Sequence, residues 1–319
     1  MDKKQRFMAA SRGEPVDHPP VSSWIHFGSA LWEPALAADV HLRFVRAYDW
    51  DYIKVMDDYR FPTEGGLREA TTVDELRAIG SPQLKYDNFE RQLEVLRRIR
   101  DGAPGVPTLD TVFSPFQTVI RALGDGVVPL FKAHPQVAHE VIGQVADRLV
   151  DFIRASAGIV DGIFLAVNGA DAGADGWGLD AAQFADWIAP YDRRVLEAAS
   201  DRVRVMHVHG YDLIPEWVDG YPAEVLSWSH NQSRPTLGEV ARGGRHIPMG
   251  GLDEVGTLYW ALSKVRANVL ASRQETADRI IVAPGCTMHS DTPPAIFHAL
   301  AAAARMPLPA PAPRPGGTA

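Results

Sequence analysis

The sequence predicts an α/β fold, a single (β/α)8 TIM barrel, and three observations predict it. Short β-like runs alternate with longer helical patterns about eight times over most of the 319 residues. No Ser/Gly-rich linker or shift in composition divides the chain, and it carries no internal repeat. No G-x-G-x-x-G or G-x-x-x-x-G-K-[S/T] element follows any strand candidate. That last point argues against the alternative, a doubly wound open sheet built to cradle a nucleotide.

Taken in order, the strand candidates are residues 21–27, 52–56, 106–113, 162–167, 204–209, 225–229, 246–249 and 279–283. Each is four to eight residues of Val, Ile or aromatic-rich sequence bounded by Gly, Pro, Asp or Ser. Between the second and third, Thr72-Val73-Asp74-Glu75 has the form of a capping box opening a short helix. Residues 87–101 then place Phe89, Leu93, Leu96 and Ile99 on one helical stripe. A longer helix over 135–158 begins with Pro135, which suits the first helical position, and aligns Val137, Val141, Val145, Leu149 and Phe152. Two more helical patterns cover 254–273 and 294–305. The barrel is expected over 1–306, and the Pro-rich stretch 307–319 reads as a disordered tail.

Composition removes several functional classes. A single cysteine forbids an internal disulfide and a cage of clustered thiolates, so the expected setting is a reducing cytoplasm. The formal net charge is −8, and the one dense basic cluster, Arg97-Arg98-Arg100, sits on a helix one turn beyond Glu90 and Glu94. Nucleic-acid binding is therefore not expected. No apolar run approaches the length of a membrane span, and Phe7-Met8-Ala9-Ala10 is too short for a signal-peptide core.

In a (β/α)8 barrel the active site gathers at the carboxyl ends of the strands. Reading those ends gives His26, Asp57 with Asp58, Thr111 with Ser114, Asn168, His207 with His209, His230, Asp253, and Cys286 with His289. His207 and His209 are two apart on a strand and so point to one side. Cys286 follows the apolar run Ile280-Ile281-Val282-Ala283 in a Pro-Gly turn. Two histidines and one cysteine leaving a coordination position open are a donor set for catalytic zinc, with Glu254, His230 or water as the fourth ligand. Asp57 and His26 are candidates for acid–base work, Asn168 for hydrogen bonding at the mouth, and His289 for support of Cys286.

Several segments together resemble the uroporphyrinogen decarboxylase superfamily. They are Arg6 through Val21 with its Arg12-Gly13-Glu14 and Asp17-His18-Pro19, Val112-Phe113-Ser114-Pro115-Phe116, Met249-Gly250-Gly251-Leu252-Asp253, and Ala283-Pro284-Gly285-Cys286 running to Thr292-Pro293. Within that superfamily the chain is most similar to the zinc-dependent, corrinoid-linked methyltransferases, whose H-x-C…C motif falls on His207, His209 and Cys286. Histidine at 209 in place of the motif's cysteine keeps a zinc donor but removes one negative charge, leaving a more Lewis-acidic ion. The resemblance implies transfer of a methyl group to or from a small molecule, with a separate corrinoid protein as partner and a homodimer as the assembly.

The decarboxylase branch implies something different. Asp57 matches its aspartate, in Val55-Met56-Asp57-Asp58-Tyr59-Arg60-Phe61-Pro62, but residues 22–32 carry none of the arginines that grip its polycarboxylate substrate. Trp24, His26, Phe27 and Trp32 suit a smaller, flatter substrate, or simply a packed first strand. Two alternatives stay open: a non-oxidative decarboxylase or lyase using Asp57 with His26, and a non-catalytic metal- or tetrapyrrole-binding barrel.

Overall fold

The computed structural model describes residues 1–308. The last eleven residues, 309–319, which make up most of the predicted tail, lie outside the described residues.

Seven parallel strands follow one another in sequence order around a curling sheet: β1 (Ile53–Val55), β2 (Thr108–Phe113), β3 (Gly162–Val167), β4 (Val203–Val208), β5 (Val225–Trp228), β6 (Ile247–Leu252) and β7 (Ile281–Pro284). The helices in the first half are α1 (Lys3–Ser11), α2 (Pro34–Tyr48), α3 (Val73–Leu76), α4 (Asp87–Gly102), α5 (Pro115–Leu123), α6 (Val127–Ala133) and α7 (Pro135–Ala155). Those in the second half are α8 (Ala181–Trp187), α9 (Ala189–Glu197), α10 (Leu237–Gly243), α11 (Leu262–Glu275) and α12 (Pro294–Arg305). This is the α/β, TIM-barrel-like architecture, with seven strands where eight are predicted.

The missing strand is the first. Residues 21–27 contribute one bridge, Val21 to Val282. Ser22 N–H donates to Val282 O (3.2 Å) and Val282 N–H donates to Pro20 O (2.9 Å). The next rung of a parallel ladder would take the N–H of residue 284 to Ser22 O, but residue 284 is proline and has none. On the other side Asp51 N–H donates to Val21 O (2.8 Å), and the Asp51 carboxylate accepts Val21 N–H at 3.0 Å.

The side-chain period of two divides the core. Ile53, Val55, Val112, Ile163, Leu165, Met206 and Val208 face the helices, whereas Tyr52, Leu109, Phe164, Val203, Val205, Met249 and Ile281 fill the sheet's concave interior. This alternation places Lys54 and His207 inside, above that apolar floor.

Two predicted boundaries move. The helix expected over 254–273 begins at Leu262, because Asp253 turns the chain first: its carboxylate accepts the N–H groups of Val255 (2.9 Å) and Gly256 (3.0 Å). The long helix from Pro135 ends at Ala155. The capping box at Thr72 forms with Glu75, and α12 occupies 294–305.

Candidate active site

His207 ends the interior row of β4 and is 4% exposed. Its Nδ1 lies 3.1 Å from the hydroxyl of Ser227, its register partner on β5, so the ring is oriented with Nε2 free. The imidazole stacks on Phe164, centroids 5.2 Å apart and planes 27° from parallel. Burial holds its pKa well below the usual imidazole value, with His209 and Lys54 adding to the effect, so the ring is neutral at pH 7.

His209 follows on the chain, its N–H donating to Val167 O (2.8 Å), and its ring centroid is 6.1 Å from that of His207. The Nδ1 atom of His209 is buried and has no hydrogen-bond partner. Asp175, at 3.8 Å, is too far to supply one.

Cys286 is a free thiol in the turn after β7. Burial pushes its pKa up, the Glu254 carboxyl adds to the push, and Lys54 opposes it. Glu254 reaches the same turn from the end of β6 and is 6% exposed, and neither of its oxygens meets a hydrogen-bond partner. A Cβ at position 285 would lie 2.5 Å from Glu254 Oε2, so glycine there is what admits the carboxylate. Burial raises the Glu254 pKa as well.

The remaining predicted residues are distributed around the mouth. Asn168 is buried at the end of β3. His230 accepts Gly251 N–H at Nε2 (3.2 Å), its buried Nδ1 has no partner, and burial pushes its pKa down to about 4. His289 is exposed and spends Nδ1 on the N–H of Asp291 (3.1 Å), which caps its own turn. His26 lies 2.8 Å from Asp58 through Nδ1 and Oδ1, and the other Asp58 oxygen accepts the Ser29 N–H (3.1 Å) and hydroxyl (2.8 Å). Asp57 is not part of that contact. It lines a cleft with Arg60, Phe61 and Arg121, and burial raises its pKa well above the carboxylate range.

The structure thus brings His207 beside His209 and Glu254 beside the Cys286 turn. Among the described residues it gathers no three His, Cys, Asp or Glu into one metal-ligand cluster. The donor chemistry nevertheless suits a divalent cation: a neutral imidazole with one nitrogen fixed, a thiol, and a buried carboxylate and imidazole nitrogen lacking partners.

Two cations escape the sequence reading. Lys54 is 5% exposed, with Nζ 4.5 Å from the Phe164 ring centroid, 5.1 Å from that of Trp24, and 2.9 Å from Met56 Sδ. The alternation Ile53-Lys54-Val55 was its signal, because an odd polar residue in a strand can face a barrel's interior as well as solvent. Arg121 lies on α5, eight residues beyond the last residue of β2 in helical sequence that gives no sign of the mouth.

This arrangement, a parallel TIM-barrel-like sheet with its titratable groups at the strand ends, defines the class of protein. The uroporphyrinogen decarboxylase (URO-D) family profile matches residues 2–306, and the chain belongs to that family. It is 24% identical to the uroporphyrinogen decarboxylase of Synechococcus sp. (strain JA-3-3Ab), over 92% of this chain and 90% of that one. Among solved structures it is similar to a methyltransferase from Methanosarcina mazei, with a TM-score of 0.77, 17% identity, and coverage of 95% of this chain and 98% of that one. A more remote likeness of fold is to the GH5_18 protein of Streptomyces cattleya, with a TM-score of 0.56 and 14% identity over 92% of this chain and 83% of that one. No helix among the described residues is long and apolar enough to cross a membrane.

Proposed function

We propose that the protein is a zinc-dependent methyltransferase or demethylase acting on a small molecule, with a separate corrinoid protein carrying the methyl group. The observation that supports it best is the set of unsatisfied donors at the mouth, Glu254 and His209, beside the oriented neutral His207 and the Cys286 turn. The methyltransferase fold neighbour agrees with this reading. His207, His209 and Cys286 would hold the ion, with Glu254, His230 or water as the displaceable fourth ligand. Once bound, zinc supplies Lewis-acid activation of a thiol, alcohol or phenol.

The protein's own groups do the remaining work. Ser227 fixes the His207 ring so that Nε2 faces the mouth. His26, anchored by Asp58 at Nδ1, offers Nε2 as a carrier for the acceptor's proton. Asn168 supplies a hydrogen bond to orient the substrate. We read the ring as a (β/α)8 barrel whose first strand is reduced to the Val21 bridge, in a cytoplasmic homodimer. Decarboxylation through Asp57 with His26 is the weaker alternative, because Asp57 lines the lateral cleft rather than contacting His26.

Metal analysis of the purified chain tests the proposal. About one zinc per chain is expected, lost in both Cys286→Ala and His207→Ala with the fold retained. Protein that is free of metal and fully active in methyl transfer overturns the reading.

A further inference from the structure

A cleft opens at the carboxyl ends of β1 and β2, lined by Asp57, Arg60, Phe61, Thr111, Phe113 and Arg121 among others. It is narrow, with a cavity volume of about 30 Å³. That is room for about two waters, close to the footprint of one carboxylate.

The cleft's two guanidinium groups keep their N–H donors free. The Arg121 guanidinium lies 3.8 Å over the Phe113 ring centroid, which stiffens it while leaving its in-plane N–H groups free. Among the described residues neither Arg60 nor Arg121 is ion-paired, and neither guanidinium donates a hydrogen bond. Arg91, close by, differs: it donates to Trp32 O (2.5 Å) and covers the Tyr59 ring. Asp57 is the one acid lining the cleft; burial and Asp110 raise its pKa while Arg121 lowers it, and it makes no ion pair with either guanidinium. Glu254 and the Cys286 turn lie at the ends of β6 and β7.

We propose that this cleft seats the carboxylate of the substrate, a small flat acid whose ring projects from the cleft toward the strand-end histidines. Arg121 and Arg60 present N–H forks that match a planar carboxylate, and Phe61 and Phe113 flank the adjoining ring. The assignment rests on the proposed function in taking the molecule bound here as the one that reacts. It also locates the acid recognition that residues 22–32, which carry no arginine, do not provide.

The test is calorimetric titration of the full-length chain with benzoate, and with benzamide as the neutral control. Wild type is expected to bind benzoate saturably and benzamide at least tenfold more weakly. Arg121→Gln should weaken benzoate at least tenfold, Arg60→Gln several-fold, and Arg121→Lys, which keeps the charge but not the fork, should fall between. Circular dichroism checks each fold, and Arg121→Lys serves if Arg121→Gln does not fold. Absence of saturable benzoate binding, equal affinity in wild type and the Arg121 variants, or equal affinity for benzamide overturns the assignment. Zinc measured on the same samples separates the two ideas. Arg121-dependent benzoate binding by a chain that holds no zinc upholds the carboxylate site and removes the metal reading.

Discussion

Lys54 carries an ammonium group into an aromatic interior where its nearest acceptor is a thioether sulfur. Burial pushes its pKa down to about 7 from the 10.5 of an exposed lysine. The group therefore costs stability wherever the unfolded chain would hold the proton more tightly. That cost is complete below pH 7 and shrinks as pH rises from 7 toward 10.5. Lys54→Met should accordingly stabilise the fold by about 1–2 kcal/mol at pH 6, read from urea unfolding, with the gain fading by pH 10. A destabilised Lys54→Met protein at pH 6 would mean that the ammonium has a partner it does not meet here. The strand-end residues His207, His209 and Cys286 were legible because strand ends and residue chemistry both show in sequence. The adjacent pair Asp57-Asp58 was not, since neighbours at a strand end point in different directions. Only the fold sends Asp58 to His26 and Asp57 to the lateral cleft.

Among the elements, those whose ends are written in side-chain chemistry were the readable ones. Thr72 and Glu75 cap α3 reciprocally, and Pro294 opens α12 where the sequence places it. Thr72→Ala removes the acceptor for the Glu75 N–H and should cost about 1 kcal/mol in thermal or urea unfolding. The elements that moved did so through partners distant in sequence or hidden in a turn. Asp253 delays α11 by accepting two backbone N–H groups, and Pro284 ends the pairing of the first predicted strand by withholding one. Asp58 fastens the segment after that bridge through His26 and Ser29. Asp58→Ala should free this segment, seen as faster proteolysis around residues 26–32, while seven-strand circular dichroism persists. Unchanged proteolysis would show that the aspartate is not the fastener.

At the scale of the molecule, one arginine is among the residues that tie the N-terminal helix to the sheet. Arg6 on α1 contacts Asp17 through Nε (2.7 Å) and Asp51 through Nη1 (3.0 Å), and Asp51 in turn accepts the Val21 N–H. Arg6→Met leaves the nearly inaccessible Asp51 carboxylate without that cation and should destabilise the fold by about 3–5 kcal/mol. An unfolding midpoint within error of wild type would show that Asp51 is held without Arg6, by its backbone bonds and Arg305 (3.7 Å). The wider consequence concerns the circumference. Every neighbouring pair from β1 to β7 is laced by at least three register pairs, whereas Val21 has one backbone bridge to β7 and, toward β1, one backbone hydrogen bond and one carboxylate. The amides of Ser22 and Val282 should therefore exchange with deuterium well before those of β3 and β4, and whatever loosens this protein will unzip it first between its beginning and its end.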